Sequence, residues 1–200
     1  GQQTAREILV EGLKRLEYRG YDSSGIAILN GSTPYLAKAV GKVASLEERI
    51  WKDTPEGQIG IAHTRWATHG RPTETNAHPH VDCTGEIFLV HNGIIENYQP
   101  LKKRLISTGH TFRTDTDTEV LAHLIEDRYS GDLELAVQKA LLEVQGTYGI
   151  AVMHSKHRDQ IVVARRGSPL VLGIGRDEAL AASDVSALSQ HTDQVVYLED

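Results

Sequence analysis

At 200 residues, with 40% hydrophobic and 24% charged side chains and a net charge of −6, the chain has the size and balance of one soluble globular domain, which excludes a disordered or fibrous polymer. Its basic residues are scattered, densest at Lys102-Lys103-Arg104, so the electrostatic footprint of a nucleic-acid binder is missing and no nucleic-acid partner is expected. One cysteine, Cys83, excludes an internal disulfide framework, and no leader-like start or apolar run of about 18 residues is present, which predicts a cytoplasmic chain with no membrane partner.

In chain order, Thr4 and Glu7 have the spacing of a capping box, and Ile8, Leu9, Leu13 and Leu16 follow at helical spacing, predicting a helix over 5–18. Short β-like runs come next, at 25–29, 34–41, 58–67 and 86–93, separated by Gly, Asn, Pro and Asp. Helical periodicity then covers 96–107, 118–129 and 133–144, with Gly109, Gly131 and Gly146 as stops. Strand-like runs return at 148–155, 159–167, 170–175 and 195–199, with a short helix near 185–190. A block of helices between two groups of strands predicts an α+β fold with mainly antiparallel sheets, not a doubly wound parallel one.

Several stretches carry chemistry. Residues 62–80, AHTRWATHGRPTETNAHPH, contain His63, His69, His78 and His80, but their spacing matches neither a zinc-protease helix nor a Cys/His finger. They are read as hydrogen-bonding histidines of turns and strand ends, and no metal and no cofactor are expected. TDTDTE at 114–119 could face a divalent cation, but Thr116 followed by Glu119 equally caps the helix beginning there and leaves Asp117 free to face a ligand. GIGRDE at 173–178 has two of the three glycines of a phosphate loop and reads as a turn.

Asn92-Gly93 has two readings. Alone, the pair is an ordinary hairpin turn; at a strand end, it would set a side-chain amide beside an uncrowded backbone N–H, which is an oxyanion hole. Arg65 has the fork to grip a carboxylate, with Trp66 as a wall and Thr68 as a hydroxyl donor. Arg65, Asn92-Gly93 and Asp117 together would suit an amino acid with a side-chain amide.

These strings are also familiar as a set. EYRGYDSSGIAI (17–28), GIAHTRWATHGRPTETNAHPH (60–80), VHNGIIENY (90–98) and TDTDTEVLAHLI (114–125) resemble, in order and spacing, the class II glutamine amidotransferase domain, in particular that of the aminotransferases whose acceptor is fructose-6-phosphate. RRGSPLVLGIG (165–175) and ALAASDVSAL (179–188) look like later parts of the same domain, so the resemblance spans residues 1–200. It implies an N-terminal nucleophile hydrolase fold, a four-layer α/β/β/α sandwich with antiparallel sheets. It also implies that Arg65 binds the α-carboxylate of glutamine and Asp117 its α-ammonium, and that Asn92 and Gly93 stabilise the oxyanion. Trp66, Thr68 and His69 would belong to a loop covering glutamine, and Arg19 and Gly20 would lie near the nucleophile. That nucleophile is an N-terminal cysteine on a short strand, which the 200 residues do not include, so the expectation is a glutaminase domain lacking that strand. Cys83 matches no catalytic position and is read as a structural or incidental thiol. The implied partners are glutamine and sugar-isomerase domains of the same polypeptide, through which the intact enzyme would form a homo-oligomer.

Overall fold

A computed structural model of the protein describes residues 4–31, 33–66 and 70–200. The chain opens on α1 (Ala5–Leu16), whose Ala5, Val10 and Leu13 are buried, and turns through a short 3-10 segment, Glu17–Arg19, into β1 (Ser23–Asn30). Strand β1 lies between β2 (Thr33–Val40) and β3 (Gly60–Arg65), antiparallel to both. A second helix, α2 (Val43–Asp53), connects β2 to β3.

The second sheet is ordered β4 (His80–Val81), β5 (Ile87–Ile95), β6 (Gly146–His154), β7 (Val162–Arg166), again antiparallel throughout. Between β5 and β6 the chain makes α3 (Tyr98–Ser107), α4 (Glu119–Arg128) and α5 (Leu133–Leu141). A small third sheet places β8 (Val171–Ile174) between β9 (Ala179–Ala182) and β10 (Val195–Tyr197). Among the described residues no helix is long and apolar enough to cross a membrane.

The layering follows from the two-residue period of the strands. In β1, Ile26 and Ile28 pack with α1 and α2, while Ala27 between them faces the other sheet. In β5, Ile87 and Leu89 join the core beneath α3, α4 and α5, while Phe88 and Val90 meet Ala27, Ile61 and Met153. Three apolar cores therefore stack in order: helix on sheet, sheet on sheet, sheet on helix. This is the four-layer α+β sandwich expected from the resemblance, and its sheet-on-sheet core is the smallest of the three.

Four local expectations need correction. Helix α2 was not expected, although its apolar positions Val43, Leu46 and Ile50 are buried at helical spacing with charged residues on the other face, the signature of an amphipathic helix. Thr4 makes no side-chain cap, and its Oγ1 is buried without a hydrogen-bond partner, so the capping box at the start of α1 does not form. The helix itself stops at Leu16, two residues early. Asn92-Gly93 is not a hairpin turn, because β5 runs through both residues to Ile95.

Candidate active site

A cleft of about 520 Å³ opens where α1, β3, β5 and the segment before α4 meet. Of the residues singled out from the sequence, Arg19, Gly20, Arg65, Trp66, Asn92, Gly93 and Asp117 all line it. Thr68 and His69 lie outside the described residues. Cys83 is not among the lining residues.

Arg65 closes β3 and is 4% exposed. Its Nη1 and Nη2 donate to the carbonyls of Arg71 at 3.4 Å and Gly70 at 3.2 Å, which ties the start of the following segment to the strand. Burial lowers its pKa, and the negative charges of Asp22 and Asp117 act in the opposite direction. An arginine remains protonated under such conditions, so the cleft holds a partly desolvated cation.

Asp117 is also 4% exposed, and its Oδ2 accepts the Ile95 N–H at 2.8 Å. Thr116 does not cap α4, whose cap position is Thr118 without a side-chain bond; Thr116 lies ahead of the helix, and its Oγ1 accepts the Glu119 N–H at 3.4 Å. The Glu119 carboxylate turns back to accept the N–H groups of Arg113 and Thr114, each at 2.8 Å. The helix start is thus closed on itself, and Asp117 is released to the cleft with one oxygen fixed.

Gly93 has φ +141°, and a Cβ there would stand 2.2 Å from the Thr147 carbonyl oxygen on the paired strand. Only glycine permits this approach, which brings the β5 backbone against β6 beside Asn92. At the rim, Gly20 has φ +120°, and a Cβ there would lie 2.1 Å from Trp66 Cε3. The Trp66 ring, 70% exposed overall, therefore rests on the bare backbone of Gly20. Arg19 lies alongside, with Nη1 3.8 Å from Asp184.

Behind these residues is a group of uncharged histidines that sequence reasoning treated only as turn formers or passed over. His63 and His78 stack at 4.2 Å between centroids, and His80 meets His78 edge-on at 4.6 Å. The His91 N–H donates to His78 Nδ1 at 3.2 Å. His91 Nε2 lies 3.3 Å from the Thr147 carbonyl, which can only accept, so that nitrogen carries the proton and Nδ1 accepts from the Thr118 hydroxyl at 2.9 Å. Burial drives the pKa of His63 down to about 3 and lowers those of His78, His80 and His91. The back wall is consequently neutral at ordinary pH, and Arg65 and Asp117 bring opposite charges to the lining of the cleft. His91, Thr118 and Thr147 were missed because their proximity depends on strand register and has no local pattern.

Such a site offers a cation for a carboxylate, a carboxylate for an ammonium, and an amide with a backbone edge where an oxyanion could form. Comparison with known proteins agrees with that chemistry. Residues 44–200 match the family model described as a glutamine amidotransferase domain. The chain is 51% identical over 202 residues to the glutamine-fructose-6-phosphate aminotransferase (isomerizing) of Thermococcus kodakarensis, covering 100% of this chain and 34% of that protein. It is also 51% identical over 200 residues to the enzyme of the same name from Thermus thermophilus, covering 100% of this chain and 33% of that protein. It thus spans about a third of the length of the curated relatives it matches. Among solved structures it resembles the glutamine phosphoribosylpyrophosphate amidotransferase from B. subtilis, with a TM-score of 0.83 at 29% identity over 99% of this chain and 43% of that one.

Proposed function

Because the chain belongs to the glutamine amidotransferase domain family, we propose that it is the glutaminase domain of a glutamine-fructose-6-phosphate aminotransferase. In this reading it hydrolyses glutamine to glutamate and ammonia, and the ammonia is used by sugar-isomerase domains of the same polypeptide to make glucosamine-6-phosphate. The observation that carries the reading is the convergence of Arg65, Asn92-Gly93 and Asp117 on one cleft.

Glutamine enters as a zwitterion. Arg65 pairs with the α-carboxylate and Asp117 with the α-ammonium, so the side chain points along the cleft toward Asn92 and Gly93. The nucleophile is the cysteine that the family resemblance puts at the head of the intact polypeptide, near Arg19 and Gly20. Its sulfur forms a bond to the γ-carbon, and the carbonyl oxygen becomes an oxyanion held by the Asn92 amide and the Gly93 N–H. Collapse breaks the C–N bond, and the nitrogen leaves as ammonia with the thiol proton. Water then adds to the γ-glutamyl thioester, releasing glutamate and restoring the thiol. The Trp66 ring shields the mouth. The homo-oligomer expected of the intact enzyme would form through the sugar-isomerase domains.

The reading is tested with the full-length protein carrying its natural N-terminus. Glutamate release from glutamine is the expected activity. Arg65→Ala should raise the KM for glutamine by about 100-fold or more, since removing one partner of a buried charge pair costs about 3–5 kcal/mol. An unchanged KM in Arg65→Ala, with activity intact, would remove the assignment.

A further inference from the structure

On the outer side of the second sheet, away from the cleft, Cys83, His110, His123 and Glu126 bring Sγ, two imidazole nitrogens and a carboxylate oxygen within 4.8 Å of one another. We propose that these four side chains bind a tetrahedral divalent zinc ion that staples three segments together. The segments are the β4–β5 loop, the turn after α3, and one face of α4, where His123 and Glu126 are three apart and so adjacent.

The distances suit the ion. His123 Nδ1 lies 3.5 Å from Cys83 Sγ, and His110 Nδ1 lies 3.8 Å from it. Both Nδ1 atoms lie 3.0 Å from Glu126 Oε2. Zinc bonds of about 2.0–2.1 Å to N and O and about 2.3 Å to S give tetrahedron edges of about 3.3–3.6 Å, so small movements would seat the ion. A thiolate with two imidazoles and a carboxylate is a borderline-soft donor set, unlike the all-oxygen cages of Mg²⁺ and Ca²⁺.

The surroundings also fit an ion. Each imidazole has a carboxylate at its far nitrogen: Asp127 Oδ1 is 3.7 Å from His110 Nε2, and Glu119 Oε1 is 3.6 Å from His123 Nε2. A neutral imidazole has one donor nitrogen, so hydrogen bonding to Glu126 through Nδ1–H would leave a bare lone pair facing the second carboxylate. Metal at Nδ1 resolves this, because Nε2–H is then free to donate to Asp127 or Glu119, as ligating histidines commonly do. The sulfur is supported as well, accepting the Thr111 N–H at 3.3 Å. Three carboxylates around two imidazoles make a negative site that a doubly charged ion balances. Four protein ligands leave no open position, so the site is structural. Its effect would reach the cleft through His123 and Glu119, whose carboxylate holds the backbone of Arg113 and Thr114 just ahead of Asp117.

The test uses the untagged full-length protein, stripped with a chelator and titrated with Zn²⁺, then with Co²⁺ as a spectroscopic probe. Expected are one equivalent of tight binding, the visible bands of tetrahedral Co²⁺, and a near-ultraviolet thiolate-to-metal band. Cys83→Ser should abolish that band and weaken Zn²⁺ binding by at least about 100-fold, and Asp127→Ala should weaken it about 10-fold. Zn²⁺ should also raise the unfolding midpoint of the parent protein and not of Cys83→Ser. Should the stripped protein bind no Zn²⁺ at micromolar concentrations, or bind it equally well in folded Cys83→Ser and His110→Gln variants, the site is wrong. Glutaminase activity is not the readout, so either outcome leaves the proposed function independent of this one.

Discussion

Asp117 Oδ2 accepts the Ile95 N–H at 2.8 Å, which ties the segment before α4 to the strand that carries Asn92 and Gly93. One carboxylate thus has two roles: one oxygen holds two parts of the site in register, and the charge faces the cleft. The roles can be separated. Asp117→Asn keeps an oxygen for Ile95 and loses the charge, so the glutamine KM should rise by about 10–100-fold while the urea midpoint stays close to the parent's. Asp117→Ala should show the same KM defect and also lose about 1–3 kcal/mol of stability, because a buried N–H is left without its acceptor. Equal urea midpoints for the two variants would show that the Ile95 bond contributes nothing.

Gly93 is set by β6. A methyl group there would stand 2.2 Å from the Thr147 carbonyl oxygen at a φ of +141°. Gly93→Ala should therefore push β5 from β6 and move the Asn92 amide. We expect a fall in kcat of about 100-fold or more, the scale of losing one oxyanion donor. The change should appear in kcat more than in KM, since in the proposed reading Arg65 and Asp117 hold the amino-acid end. Steady-state kinetics on folded variant settles this, and a normal kcat would exclude an oxyanion role for the pair.

Trp66 and Gly20 are the rim counterpart. Gly20→Ala puts Cβ 2.1 Å from the Trp66 ring, so the ring must leave its seat. In residues 1–200 carrying Trp51→Phe, where Trp66 is the one remaining tryptophan, its fluorescence should shift on Gly20→Ala, and any quenching by glutamine should weaken. An unchanged emission spectrum would mean that the ring does not rest there in solution.

The buried histidines predict acid sensitivity. His63 has its folded pKa lowered from 6.5 to about 3, and His78, His80 and His91 are shifted the same way. Below pH 6.5 the unfolded chain therefore binds more protons than the folded one. Stability is full above that value and is lost as pH falls toward the folded pKa values, by about 1.4 kcal/mol per pH unit for each histidine fully held neutral. Urea midpoints measured from about pH 7.5 to about pH 5 should fall, and His63→Gln should flatten the slope. A midpoint independent of pH over that range would contradict the burial of these rings.

Local physics made much of this protein readable from its residues. Short apolar runs bounded by turn residues marked β1, β5 and β6, and the 3.6-residue period marked α1, α3, α4 and α5, because each of these signals lies within one element. Arg65, Asn92, Gly93 and Asp117 could be singled out because each type has a distinctive charge, amide or backbone freedom. Tertiary structure decided what depends on distant segments meeting. The register of β5 against β6 makes Gly93 a necessity and converts an apparent Asn-Gly turn into the middle of a strand. Burial, which no local window contains, keeps four histidines neutral. The grouping of Cys83 with His110, His123 and Glu126 likewise spans 44 residues and matches no compact ligand motif, so only the packing of α4 against the β4–β5 loop brings those atoms together.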